Sequence, residues 1–329
     1  MSGGASRAKI TAVTIAVVGV LAATVVIGFF NFHAVLSAMA RVGWGGFAAV
    51  IACQLALFAP LGLAWLVVAP ELSAARLGLF SWGRLMREAA SDVLPFSQLG
   101  GFVIGARAIM LGGVPGPVAF GSGVVDVTFE VLAQLAYTLI GVGLLVLRLG
   151  AASKGDNLVW MLSLGLCAAA GLVAVFMFAQ RKGARLAERI AERLMPAAAT
   201  HTASFTRAIE SAYAQPLRLW IGWVIHVACW FGAAVGSWLI LRLIGQPLPF
   251  HSVVAIESLL FAIRNAAFVV PGGLGVQEGA YALLGPLFGL PAEAALALSL
   301  LKRARDMVIG IPALLIWQVM EGRRPVAGR

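Results

Sequence analysis

The sequence predicts an all-α polytopic membrane protein: about six full spans plus two re-entrant helical hairpins, arranged as an inverted-topology repeat. Three observations predict it. Of 329 residues, 61% are hydrophobic and only 12% are charged, whereas a soluble domain carries about 25% charged residues. The apolar runs are continuous and do not alternate, which selects helical spans over a barrel. The chain also matches itself at an offset of 176 residues. Residues 1–329 are read as one integral membrane domain. Its repeat-like halves lie at about 82–150 and 251–318, joined by a connector at about 181–216. The formal charge of +10 fits cytoplasmic loops on anionic lipid and not nucleic acid. Cys53, Cys167 and Cys229 each stand alone in an apolar run, which excludes a disulfide framework and a paired-cysteine zinc site. No metal and no cofactor are expected.

The spans follow in order. The first apolar run is 10–30, behind Arg7 and Lys9. Ala38-Met39-Ala40 resembles a cleavage site, but this run is longer than the ~7–15 residues of a signal-peptide core, so it reads as an uncleaved anchor. Further runs at 44–69, 118–147, 158–179, 217–244 and 292–317 complete six spans. The stretch 93–114 is broken by Pro95, Gly100, Gly101, Gly105, Gly112 and Gly113, and 253–290 by 271–275 and Pro286. Irregular backbone at membrane depth survives only where protein or a cavity surrounds it. Both stretches are therefore expected to be re-entrant hairpins. With the N-terminus inside, fifteen basic residues, Arg84 and Arg87 among them, fall on the inner side. Arg41, Arg148 and Lys154 fall outside. This bias places both termini in the cytoplasm. Residues 185–194 carry charges on one helical face and Leu186, Ile190 and Leu194 on the other, which suits either an amphipathic surface helix or a plain connector.

At the offset of 176, Pro95 falls on Pro271, Ala106 on Ala282, Gly113 on Gly289, Pro115 on Pro291, Ala119 on Ala295 and Glu130 on Asp306. Three spans separate the copies, so they face opposite ways, as in many transporters whose site lies near the midplane. Lys302, Arg303, Arg305 and Asp306 sit in the middle of the last span. Exposing all four to lipid costs on the order of 10 kcal/mol, so they must face a wet cavity or pair. Lys302 and Asp306 share a helix face and are expected to pair with each other. The equivalent span carries Asp126 and Glu130, and Asp126 falls opposite Lys302. These groups read either as an ion-pair lock or as a cavity for a zwitterionic or anionic headgroup. Arg107 lies in the first hairpin, and Glu257, Arg264, Asn265, Gln277 and Glu278 flank or enter the second. The turn containing Gly272, Gly273 and Gly275 opens a short helix whose N–H groups suit a phosphate. Gln277 and Glu278 alternatively cap it. An intramembrane acid such as Glu130 or Asp306 offers a route for proton coupling. Gly121-Ser122-Gly123 with His226 spells a serine-histidine dyad on paper, but small residues here favour helix packing. His33, His201 and His251 read as loop or interface residues.

Residues 271–281, PGGLGVQEGAY, with the late basic-acidic span, resemble the flippase-like transmembrane domain of lysylphosphatidylglycerol synthases. Residues 87–101, REAASDVLPFSQLGG, look like its stand-alone branch associated with hopanoid biosynthesis. The full synthases carry a soluble aminoacyl-transferase domain. The sequence here ends at Arg329, so the resemblance implies lipid translocation in a bacterial inner membrane and not aminoacyl transfer. It implies a polar-headgroup lipid, a hopanoid or a related envelope lipid as partner, and room for biosynthetic partner proteins. The expectation is a non-enzyme. A membrane-embedded headgroup-modifying enzyme and a non-transporting accessory subunit are the alternatives.

Overall fold

The structure is a computed structural model, and it describes residues 32–93, 97–150, 196–266 and 275–322. The expected spans at 10–30 and 158–179, the amphipathic segment at 185–194 and the turn residues Gly272 and Gly273 lie outside them. The described residues form nine α-helices. These are α1 (Phe32–Val67), α2 (Leu77–Val93), α3 (Ser97–Leu111), α4 (Gly116–Gly150), α5 (Pro196–Tyr213), α6 (Pro216–Leu243), α7 (Phe250–Ala266), α8 (Val276–Leu287) and α9 (Ala292–Gly322).

Three of these helices are long and apolar enough to cross a membrane: Met39–Val67 within α1, Gly116–Arg148 within α4, and α6. Gly43, at φ 61°, bends α1 near the start of its apolar stretch. The 31 residues of α9 are also long enough, at about 1.5 Å per residue, but the helix carries its charge cluster near the middle. Leu55, Leu139, Leu147, Trp220, Leu283 and Leu315 stand exposed on these helices. An outward apolar surface of this kind is costly in water and favourable in lipid.

Gly100, Gly101 and Gly105 do not break the first stretch. Helix α3 runs through Gly100, Gly101 and Gly105. A Cβ on Gly101 would lie 2.5 Å from the Arg87 carbonyl oxygen, and one on Gly105 would lie 2.9 Å from that of Gly83. A Cβ on Gly112 would meet Leu79. Partners thus descend along α2 as positions rise along α3, so the two helices pack antiparallel at backbone contact. The glycines cost helix propensity of ~1 kcal/mol each and permit this close approach. Helices α2 and α3 therefore form a helical hairpin whose first arm, from Leu77, precedes the expected stretch 93–114. Helices α7 and α8 pack as the second. Pro286 lies inside α8, near its end.

The offset of 176 reappears in the backbone. Helix α3 ends at Leu111 and α4 starts at Gly116; α8 ends at Leu287 and α9 starts at Ala292. Gly113 and Gly289 have φ of 86° and 84°. The N–H groups of Gly112, Gly113 and Val114 reach the carbonyls of Ile109, Met110 and Ile109. Those of Phe288, Gly289 and Leu290 reach Gly285, Pro286 and Gly285. The first arm of each hairpin also crosses to the other half: α2 packs on α9, and α7 on α4. That exchange brings the charges of both halves together.

Candidate functional site

Helix α2 carries Arg84, Arg87, Glu88, Ser91 and Asp92, a spacing that puts all five on one face. This face looks into a cavity of about 260 Å³, comparable to the smaller ligand clefts. Opposite lie Glu130 and Gln134 of α4, His226 and Cys229 of α6, Arg264 and Asn265 of α7, and Lys302, Arg305 and Asp306 of α9. Leu57, Phe58 and Leu61 of α1, with Phe261 and Ile309, supply apolar wall.

Two ionic clusters support this cavity. In the first, Arg84 grips Glu130 with both terminal nitrogens, Nη1 to Oε2 at 2.9 Å and Nη2 to Oε1 at 2.8 Å. Nη2 also donates to Glu88 at 2.8 Å. Arg87 donates to Glu130 at 2.6 Å and to Asp126 at 3.2 Å. Asp126 is wholly buried, and its Oδ1 meets His226 Nε2 at 2.9 Å. Two guanidiniums, one of them bidentate, hold Glu130.

In the second cluster, Lys302 donates to Glu257 at 2.5 Å and to the Tyr281 hydroxyl at 2.8 Å. Tyr281 in turn donates to Glu257. Arg303 donates to Glu278 at 2.9 Å, and Arg305 donates to Asp306 at 2.7 Å. Arg264 reaches Asp92 at 3.4 Å, with both groups partly exposed. Asn265 donates to Gln134 at 2.7 Å.

The expected site residues divide accordingly. Glu130, Arg264, Asn265, Lys302, Arg305 and Asp306 line the cavity, and Asp126 sits behind it against Arg87 and His226. The expected Lys302–Asp306 pair does not form. Asp306 takes Arg305, and Lys302 turns to Glu257 because α7 packs within reach. Glu257 is a buried counter-ion and does not line the cavity. Gln277 donates to Ser299, and the Gly275 N–H donates to Glu278 Oε2 at 2.9 Å. These two residues thus cap and pin the start of α8. Arg107 binds Glu321, at 2.6 Å and half-exposed, away from the cavity.

Arg84 and Arg87 correct the sequence reading. They count there as inner-side charges, yet Arg84 is 1% exposed and both hold the acids of α4. Without them the side expected to be inner carries thirteen basic residues against three on the other. Their helical spacing with Glu88, Ser91 and Asp92 was the available signal. His226, named in the sequence only as half of the paper dyad, is a cavity residue. The paper dyad is absent, because Ser122 accepts a bond from Trp65 Nε1 at 3.1 Å.

Described residues that form helices and no strand, with an apolar exterior and buried ions around a cavity, define a helical integral membrane protein. The chain belongs to the lysylphosphatidylglycerol synthase TM region family, which matches it over residues 12–313. No curated protein matches the chain, and no solved structure does.

Proposed function

We propose that the protein is a lipid translocase of flippase type. A lipid's polar headgroup enters the cavity between the two hairpins while its acyl chains remain in the bilayer. The reading extends to two re-entrant hairpins in an inverted repeat among about six spans. The membrane is a bacterial inner membrane with both termini cytoplasmic, and the cargo is a hopanoid or related envelope lipid with an anionic or zwitterionic headgroup. No chemistry on the lipid is part of this reading.

One observation carries it: a cavity walled by charges of both signs and by apolar side chains. Its weakest pair is the 3.4 Å, partly exposed Arg264–Asp92 contact. At 3.4 Å and partly exposed, this pair opens at less cost than the shorter, more buried ones, to a phosphate on Arg264 and an amine on Asp92. Equivalent turns in both halves suit two related half-states of alternating access.

The test is movement of tail-labelled phosphatidylglycerol and phosphatidylethanolamine across vesicles holding the purified protein. The wild type is expected to equilibrate at least one of them, and Arg264→Ala to slow it several-fold. Rates equal to protein-free vesicles refute the reading. A change in the mass of the labelled lipid supports the headgroup-modifying alternative.

A further inference from the structure

Most ion pairs beside the cavity join two helices. Arg84 and Arg87 of α2 hold Glu130 of α4, Lys302 of α9 holds Glu257 of α7, and Arg264 of α7 reaches Asp92 of α2. Each of these contacts fixes one element against another. Arg305 and Asp306 do not. They are neighbours in α9, and Nε and Nη2 of Arg305 both donate to Asp306 Oδ1, at 2.8 and 2.7 Å. Among the described residues that pair holds no second helix. Its side chains are only 8% and 21% exposed, so both charges are largely desolvated. Apolar side chains can replace such a pair without loss of stability. Packing therefore gives no reason for it.

The pair leaves two polar edges unused. Arg305 Nη1 makes no hydrogen bond among the described residues, and neither does Asp306 Oδ2. Both residues line the cavity. Helix α6 comes up to Nη1 at Gly236, where a Cβ would lie 3.9 Å away, and a glycine offers that nitrogen no side chain. Nη1 carries N–H donors, and a carboxylate oxygen only accepts. Their shared contact through Oδ1 fixes the two groups together, so a donor edge and an acceptor edge stand side by side. That is the complement of a phosphate next to an ammonium.

The cavity thus holds two arginine–aspartate pairs. Arg264–Asp92, with side chains 22% and 29% exposed, lies nearer the outside, and Arg305–Asp306 lies deeper. Given the headgroup cavity proposed above, on which this rests, we infer that Arg305 and Asp306 form a second, deeper headgroup station. It selects a lipid whose phosphate and ammonium are joined by a short bridge, as in an ethanolamine phosphodiester. Arg305 Nη1 donates to the phosphate, and the ammonium donates to Asp306 Oδ2. The bonds between Arg305 and Asp306 stay in place, so neither charge is stripped of its partner when the lipid arrives or leaves. A glycerol headgroup has the phosphate but no cation, and it satisfies the arginine alone.

The experiment is native mass spectrometry of the purified full chain in detergent, titrated separately with phosphatidylethanolamine and phosphatidylglycerol. The wild type is expected to hold phosphatidylethanolamine about tenfold more tightly, the equivalent of one charge-assisted hydrogen bond. Asp306→Asn removes that preference by weakening phosphatidylethanolamine alone, whereas Arg305→Gln weakens both lipids. Arg305→Gln/Asp306→Asn removes the preference yet unfolds like the wild type, because no second helix loses a contact. A double variant that unfolds markedly earlier makes the pair structural and overturns the inference. A stable double variant that keeps the preference overturns it too, as does a wild type that holds the two lipids alike. Lipid movement across vesicles is measured on the same proteins. Retention that follows the expected pattern without any movement refutes the translocase reading and leaves the station standing. Movement by a wild type that retains both lipids equally overturns the station and leaves the translocase reading standing.

Discussion

Replacing Lys302 by Met tests whether the ions of α9 are locks or ligands. Lys302 and Glu257 lie 2.5 Å apart with side chains 6% and 0% exposed. Lys302→Met leaves the Glu257 carboxylate buried with the Tyr281 hydroxyl as its remaining donor among the described residues. Removing one partner of a buried pair costs about 3–5 kcal/mol, whereas removing both charges together is often neutral. Lys302→Met is therefore expected to destabilise by about 4 kcal/mol, by the same principle. Glu257→Gln/Lys302→Met recovers at least half of that, because the glutamine can still accept from Tyr281. The assay is reversible unfolding in lipid nanodiscs followed by the fluorescence of the nine tryptophans, combined as a double-mutant cycle. Losses that simply add refute the buried pair. If the double variant is stable and still moves lipid, the pair is structural. If it is stable and inert, Lys302 meets the headgroup from its place on the cavity wall.

Three further outcomes follow from the packing. A Cβ on Gly62 would lie 2.4 Å from the backbone nitrogen of Ser81, so Gly62→Ala pries α1 from α2 and costs about 1–3 kcal/mol or more, measured by the same unfolding assay. Gly113→Ala and Gly289→Ala, at φ 86° and 84°, each cost about 1–2 kcal/mol. Equal losses check the equivalence of the two turns, and a tolerated alanine at either contradicts it. Ser122→Ala leaves Trp65 Nε1 without its acceptor and costs about 1–3 kcal/mol. Lipid handling per folded molecule stays unchanged, whereas its loss would return Ser122 to the chemistry.

Much of the fold was legible before any coordinates. Continuous apolar runs marked the helices α4, α6 and α9 to within a few residues, because a span must satisfy its own backbone and expose only apolar side chains. The offset of 176 was visible in prolines and glycines because a Gly-x-Pro turn requires positive φ at one position and forbids a helical N–H at another. The glycines of α3 misled, since the same residue that breaks a helix also lets two helices touch. For the site, Glu130, Arg264, Lys302 and Asp306 stood out by being charged within apolar runs. Arg84, Arg87 and His226 did not. The two arginines sit in a mixed, less apolar helix that resembles a loop-flanking segment, and a lone histidine in a span carries no sign of its neighbour.

What one dimension settled was therefore the solvent: which segments belong in lipid, and which ionic groups need compensation there, since transfer cost is a property of each side chain and its run. Which acid neutralises which base was settled only in three dimensions. Attraction between charges falls with distance and rises as water leaves. Those distances were set when α2 crossed to α9 and α7 to α4, a packing decision that no pair of neighbours along the chain encodes.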